Sequence, residues 1–490
     1  MYEARFKPNQ LIYGIGSIVV ITGWTVKETL FKKLDPQTYS VIGQLYSPTR
    51  GINFFIRNCL FNPHVRDIVL LDATKEDLNA GSCQCLLDFF RYGFKSGFTD
   101  TDQGCWEINS TVKGFIDSSI PEEVLNKLRQ NVNVYPVHTV HECVNLVNHL
   151  AHLNLTENKK PWGEPLYFPV VDPVPVTTPG VLCGHRIEGK TIADTWVKIV
   201  HRIKTTGVIR RTGYDGNWQE LINLMAIVTD EPEDSFPTPN YLPISREYLQ
   251  GYIPQILDDP EVKEGVKYTY GQRLRSWFGR DQIEQVINKL VKEIDAASAV
   301  MSLWDVLDHE KGGSPCLNHI WVRVVENCLS LTAVFRSNDM FSAWVANAMG
   351  LRALQRHIVD EINLRSPQQV LKMGELITIS QSAHIYDDCW ENADFLIKNQ
   401  YSKLVSKRDY DDPSGNYIIE VEEGQIIVVH TTPGSGNPVK EYRRKNPLTL
   451  LRDICSDVPA IQPEHAGYLG MEFQKAYEAI QSRKPYKQDH

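Results

Sequence analysis

The sequence predicts a mixed α/β protein of several domains, and three observations predict it. Apolar runs bounded by glycine or turn residues alternate with helical stretches through residues 1–155. A proline-rich stretch, 156–182, then interrupts that pattern. Beyond it, strands and helices resume as far as the last residues. The chain has 490 residues, and at ~100–200 residues per domain that supports several domains. Hydrophobic residues make up 42% and charged residues 23%, so wholesale disorder and collagen-like repeats are excluded.

The amino-terminal unit, 1–155, reads as a doubly wound α/β domain. IGSIVVITG (15–23) and DIVLLDAT (67–74) have the continuous apolar character of buried parallel strands. Leu86, Leu87, Phe89 and Phe90 mark a helix, NVNVYPV (131–137) a third strand, and 138–153 a closing helix. PWGEPLYFPVVDPVPVTTPG (161–180) is a linker or a strap across a surface. Residues 183–400 form the largest unit, with a strand in AVMSLWDV (299–306) and a helix at 281–293. Residues 401–490 form a small α+β domain. In it YIIEVEEGQIIVVHTT (417–432) is a hairpin turning at Gly424, followed by helices near 447–455 and 465–482.

Charge and composition narrow the function. The net charge of −9 argues against a broad electrostatic grip on nucleic acid, though a local basic pocket for one phosphate is compatible with it. No run approaches ~18 consecutive apolar residues, so no membrane span is expected. The first residues carry no apolar run of signal-peptide type, and the ten cysteines are scattered. A cytoplasmic protein with reduced thiols is expected.

Several motifs carry little. Gly14-Ile15-Gly16 lacks the third glycine of a dinucleotide fingerprint. Cys83-Gln84-Cys85 has the wrong spacing for a zinc ribbon and suits a helix interior. His138, His141, Cys143, His149 and His152 are dense, but an amphipathic helix with exposed histidines explains them, and no metal is expected. EYRRK (441–445) reads as a solvated face.

The informative region runs from 207 to 390. There Arg211-Thr-Gly213, Tyr270-Gly271, Asp281-Gln-Ile, Pro315-Cys316, Phe335-Arg336-Ser337-Asn338-Asp339, Asn347 and Ser382-Ala-His384-Ile-Tyr386 follow one another. This order resembles that of the thymidylate synthases. The resemblance implies a three-layer core, a homodimer, and one-carbon transfer from 5,10-methylenetetrahydrofolate to C5 of dUMP, giving dTMP. The chemistry needs a soft nucleophile at uracil C6, because C5 itself is a poor one, and Cys316 is the candidate. A free thiol near ~8.5 is mostly protonated at neutral pH, so a nearby cation, Arg336, is expected to lower it. Arg336, Ser337 and Arg211 would hold the phosphate through charge-assisted hydrogen bonds. The amide of Asn347 matches uracil N3–H and O4, where an ionised aspartate would suit cytosine. By resemblance His384 and Tyr386 would meet the sugar hydroxyl, and Asp339 and Tyr270 the pterin carrier. Glu247, in ISREYLQGYI, resembles the family's glutamate, the general acid. In that role it should be partly buried with a raised pKa.

The sequence also departs from the family. An arginine pair that reaches across the dimer to the partner's phosphate is replaced by Ala297-Ser298. Arg210, beside Arg211, is one candidate replacement. Leu317 follows the cysteine where many relatives have histidine, and Phe335 replaces a common glutamine. The short apolar tail that closes over folate is absent, and a domain resembling an uncharacterised one fused to synthase-like proteins follows instead. The amino-terminal unit, through SPTRGINFFIRNCLFNPHVRDIVLL and AGSCQCLLDFFRYG, resembles one component of tetrahydromethanopterin S-methyltransferase. Corrinoid relatives use the histidine of Gly-His-x-x-Gly; here Asp77-Leu78-Asn79-Ala80-Gly81 stands there, so no corrinoid is expected. A methanopterin-type carrier is an alternative to folate. Two other readings compete: 5-hydroxymethylation, in which water captures the exocyclic methylene, and a nucleotide-binding protein without catalysis.

Overall fold

The computed structural model describes residues 2–99, 103–156, 160–170, 177–213, 216–232, 237–259, 268–311, 314–405 and 412–489. It divides into two compact units, Met1–Ser402 and Lys403–His490.

The first unit holds two large sheets. The amino-terminal one has the order Ile12–Tyr13, Tyr39–Gly43, Ile18–Ile21, Asp67–Leu71, Asn133–Val137. The last four are mutually parallel and the short edge strand is antiparallel. Its central strands, Ile18–Ile21 and Asp67–Leu71, are buried at every residue because both faces are covered. Val19, Ile21, Ile68 and Leu70 pack with Ile52, Ile56, Leu86 and Phe89 from helices Gly51–Phe61 and Ser82–Tyr92. On the other face Ile18, Val20, Val69 and Leu71 meet Leu30, Val140, Cys143 and Val147. Gly14 and Gly16 lie against the backbone of Pro36–Tyr39, where a Cβ would come within 2.8 Å of it. Their function is therefore close packing ahead of a strand, and no helix follows to cradle a phosphate. An antiparallel meander, Phe94–Phe98, Gly104–Ile108 and Phe115–Asp117, is inserted after the second of these helices.

The proline-rich stretch forms a strap over its first part. Trp162 and Leu166 donate backbone N–H to Pro63 and Leu60, and Phe168 O accepts from Arg57. Residues 171–176 lie outside the described residues.

The second sheet has eight strands, with the path Val208–Arg211, Asn217–Val228, Lys372–Tyr386, Cys328–Phe335, Leu317–Val325, Val300–Ser302. Cys183–Gly189 also pairs with Asn217–Val228, and Asn338–Asp339 with Lys372–Tyr386. The helix Trp344–Arg365 is buried along most of its length. At its start the indole of Trp344 donates to Thr378 Oγ1 in the sheet at 2.9 Å.

In the carboxy-terminal unit, three antiparallel strands, Asn416–Glu422, Gln425–Thr431 and Pro438–Arg444, pack on helices Pro447–Asp457 and Pro463–Ser482. Glu423 and Gly424 both have positive φ (49° and 71°), as a two-residue hairpin turn of the I′ kind requires. EYRRK lies mostly in the third strand, with Tyr442 buried and its neighbours exposed. Among the described residues, no helix is long and apolar enough to cross a membrane.

Candidate active site

Cys316 sits immediately before the strand Leu317–Val325, and a β-bulge between Leu317 and His319 follows it. Such bulges aim side chains beside active sites. The pairing of Leu317 with Phe335 brings Arg336 alongside. Arg336 N–H donates to Cys316 O at 2.9 Å. The Arg336 guanidinium is fastened to the same segment, with Nε donating to Pro315 O at 3.1 Å and Nη2 to Ser314 O at 2.9 Å. Burial raises the Cys316 pKa and Arg336 lowers it, with a net upward shift. The cation therefore acts in the expected direction, but burial outweighs it. At rest Cys316 is a thiol.

Three tyrosines complete the surroundings. Tyr252, Tyr268 and Tyr270 all have pKa values raised, first by burial and further by Cys316. The Tyr270 ring lies 6.1 Å from that of Tyr268, whose hydroxyl donates to Ser314 O at 3.3 Å. Tyr252 Oη donates to Asn347 Oδ1 at 2.5 Å. Asn347 Nδ2 lies 3.3 Å from Asn338 Oδ1, and Asn338 Nδ2 donates to Ser380 Oγ. Neither Tyr252 nor Tyr268 stands out in the sequence.

His384 and Tyr386 end the central strand. His384 is 2% exposed, packed between Trp218 (ring centroids 4.3 Å apart) and Tyr386 (4.9 Å). Its Nδ1 lies 3.2 Å from Ser382 Oγ, which donates to Glu220 Oε1 at 2.5 Å. Because the Ser382 proton is committed to the carboxylate, Ser382 can only accept from Nδ1–H. His384 Nε2 is then the unprotonated acceptor. Arg210 Nε pairs with Glu220 at 2.9 Å. Arg210 is therefore engaged on this network, while Arg211, its neighbour on an exposed strand, faces the other way. Ser337 is half-buried between Arg336 and Asn338.

Asp339 pairs in register with His384. Its Oδ1 accepts the N–H groups of Phe341 and Ser342, each at 3.0 Å, and Oδ2 takes part in neither bond. Burial raises its pKa against the opposing effects of Ser342, Arg50 and Phe341.

Glu247 does not meet its expectation. It is exposed, in the first turn of Arg246–Tyr252, and its pKa is lowered by its own backbone N–H and by Ser245. Acidic residues are favoured at a helix start for this reason. The buried carboxylate on the His384 side is Glu220, 7% exposed.

Ala297 and Ser298 are exposed, and Lys289 Nζ bonds both Ser298 O (3.0 Å) and Oγ (3.1 Å). A cation thus stands where the expected pair is missing. All ten cysteines are free. His138, His141, His149 and His152 are exposed. Among the described residues, one group, Asp72, Asp77 and Cys83, has metal-ligand spacing. Asp77 is already occupied there, in a capping box with Thr74 and as acceptor for Trp24 N–H. Leu78, in the stretch matched to the corrinoid motif, is 69% exposed.

Residues 246–414 match the family model described as Thymidylate synthase, and 411–489 match PterinBD-DUF4346. A protein of Methanosarcina barkeri named "Putative thymidylate synthase" is 31% identical over 217 residues, covering 44% of this chain and 95% of the relative. Proteins with the same name from Methanococcoides burtonii (31% over 217 residues; 44% and 95%) and Methanothermobacter marburgensis (31% over 230 residues; 44% and 99%) are similar to the same extent. The chain belongs to the thymidylate synthase family. As a member of that family it is a one-carbon transferase. Thymidylate synthases bind a nucleotide and a folate. Among the described residues, the eight-stranded sheet is preceded in the chain by two sheets, the parallel one and the Phe94–Asp117 meander, and followed by one.

Proposed function

We propose that the protein methylates dUMP to dTMP, with a reduced pterin as the one-carbon carrier. The observation that carries this reading is the setting of Cys316: it adjoins Arg336 and Tyr252, and Tyr252 in turn bonds Asn347. Arg336, Ser337 and Arg211 would hold the phosphate and Asn347 would read N3–H and O4. His384, with Nε2 free to accept, would take the proton side of the sugar hydroxyl, with Tyr386 beside it. Arg336 would stabilise the thiolate as Cys316 adds to C6, and C5 then becomes the nucleophile. The carrier, 5,10-methylenetetrahydrofolate or its methanopterin counterpart, supplies the one-carbon unit and the hydride that completes the methyl group. Asp339, with Oδ2 outside its backbone bonds, would face the pterin donors, and Tyr270 would line the same side. The name of the family matched at 411–489 is in keeping with a pterin carrier. A homodimer, with Lys289 near the partner's phosphate, completes the proposal.

Mass spectrometry of dUMP after incubation with methylenetetrahydrofolate tests it. A gain of about 14 mass units with dihydrofolate formed supports methylation through the covalent adduct. A gain of about 30 with tetrahydrofolate means that water captures the same intermediate, and the product is 5-hydroxymethyl-dUMP. Failure to bind dUMP overturns the proposal.

A further inference from the structure

We propose that Arg50, on the amino-terminal α/β unit, is a positioning residue for Asp339, and that this unit forms one wall of the carrier's site. The proposal rests on the reading of Asp339 as the carrier-binding carboxylate.

Arg50 lies between the strand Tyr39–Gly43 and the helix Gly51–Phe61, at the carboxyl edge of the parallel sheet. Loops at that edge are the ones that meet ligands in open α/β sheets. From there its guanidinium reaches into the catalytic fold. Nη2 donates to Ser342 Oγ at 3.2 Å, and Nη1 meets Cys389 Sγ and lies 3.6 Å from Asp388 Oδ1. Ser342 is the residue whose N–H holds Asp339 Oδ1. Arg50 therefore grips by the side chain the residue that Asp339 grips by the backbone. A planar fork reaches two acceptors in this way, where an ammonium would favour one.

Two further contacts fall around the same site. Lys7 Nζ lies 3.7 Å from Asp387 Oδ1, in the turn that directly follows Tyr386. The helix Lys75–Ala80 lies beside Arg246–Tyr252, whose Tyr252 bonds Asn347. The amino-terminal unit thus touches the catalytic fold next to Asp339, next to Tyr386 and on the helix of Tyr252.

The test uses the full chain with dUMP saturating, and titrates tetrahydrofolate, and separately tetrahydromethanopterin, by calorimetry. For Arg50→Ala the dissociation constant of the carrier should rise about tenfold or more, the scale of a lost hydrogen bond to a charged group. The affinity for dUMP should stay within about twofold, because Arg50 contacts none of the groups assigned to the nucleotide. In turnover, KM for the carrier should rise while KM for dUMP holds. Arg50→Lys should recover part of the loss. Ser342→Ala keeps the N–H to Asp339 but removes the acceptor for Arg50, and should weaken carrier binding in the same direction. Lys7→Ala, which removes the ion pair with Asp387 and the contact with the Phe54 ring but touches neither Ser342 nor Asp339, should leave carrier affinity unchanged. Unchanged carrier affinity in Arg50→Ala, equal losses for dUMP and carrier, or a gain in carrier affinity would each overturn the proposal. If the wild-type protein binds dUMP but neither carrier, the reading of Asp339 itself fails, and this proposal with it.

Discussion

Tyr252 Oη lies 2.5 Å from Oδ1 of Asn347, so the amide proposed to read the base is held by a phenol whose pKa also feels Cys316. The bond fixes the amide with its oxygen toward Tyr252 and its nitrogen toward Asn338. A pyrimidine that presents both a donor and an acceptor must share this amide with Tyr252. Replacing Asn347 with aspartate leaves an acceptor-only group facing uracil O4. Asn347→Asp should weaken dUMP binding by about tenfold or more and favour dCMP relative to dUMP, measured by competition calorimetry. Unchanged preference would remove Asn347 from base recognition. Tyr252→Phe should cost less, because the amide then keeps its shape and loses one partner.

The thiol of Cys316 gives a pH-dependent readout. Burial raises its pKa in spite of Arg336, so the reactive thiolate appears only above the range of a free cysteine, ~8.5. The rate of alkylation by iodoacetamide at Cys316 should therefore rise with pH through a midpoint above that value. Arg336→Met removes the opposing effect and should move the midpoint higher still. A midpoint below that of free cysteine would contradict the balance argued here. Cys316→Ser should abolish turnover while leaving dUMP binding measurable.

His384 links the site to acid stability. Burial brings its pKa down to about 4, with Ser382 and Glu220 opposing. In the unfolded chain a histidine titrates near ~6.5. Between these values the unfolded chain takes a proton that the folded one refuses, so stability should fall as pH drops from ~6.5 to about 4 and level off below. His384→Gln should flatten that slope, measured as the urea midpoint at a series of pH values. Glu220→Gln loosens the commitment of the Ser382 proton. It should show in the ring-nitrogen NMR signals of His384 as a mixture of tautomers, with a several-fold rise in KM for dUMP.

The central strands of the first sheet are legible because IVVI and the IVLL of DIVLL are continuous apolar runs, and a sheet covered on both sides demands that. The meander Phe94–Asp117 is not, because its first strand is largely exposed and carries Gly97. Cys316, Arg336, Asn347 and His384 stand out because each residue type is required by one chemical task, in one order. Glu247 shows the limit of that logic. A glutamate two residues after Ser245 fits a catalytic helix and a capped helix start equally well, and only its exposure separates them. Tyr252 and Tyr268 carry no motif of their own, and only the fold brings them near the thiol. The contact of Arg50 with Ser342 spans 292 residues of chain, and no local pattern encodes it.

The ion pair Arg273–Asp308 carries the last prediction. Both side chains are nearly inaccessible (2% and 5%), joined by two hydrogen bonds of 2.7 and 2.9 Å. The guanidinium also donates to Leu303 O and lies 3.7 Å over the ring of Trp277. Asp308 Oδ2 accepts Asp305 N–H as well, so the pair ties the helix Tyr270–Arg275 to the segment that leads toward Cys316. Burial pushes the Asp308 carboxyl up, but Arg273 and the Asp305 amide together bring its pKa below the usual value. Removing one partner leaves a buried charge without its counterion, which costs about 3–5 kcal/mol. Asp308→Ala should lower the unfolding free energy by that amount in urea titration. Replacing both partners with apolar residues of similar volume, Arg273→Met with Asp308→Leu, should recover much of it, because no uncompensated charge remains. If stability returns in the double variant while turnover does not, the pair acts by placing Tyr270 and the approach to Cys316. If both return, its contribution is to folding alone.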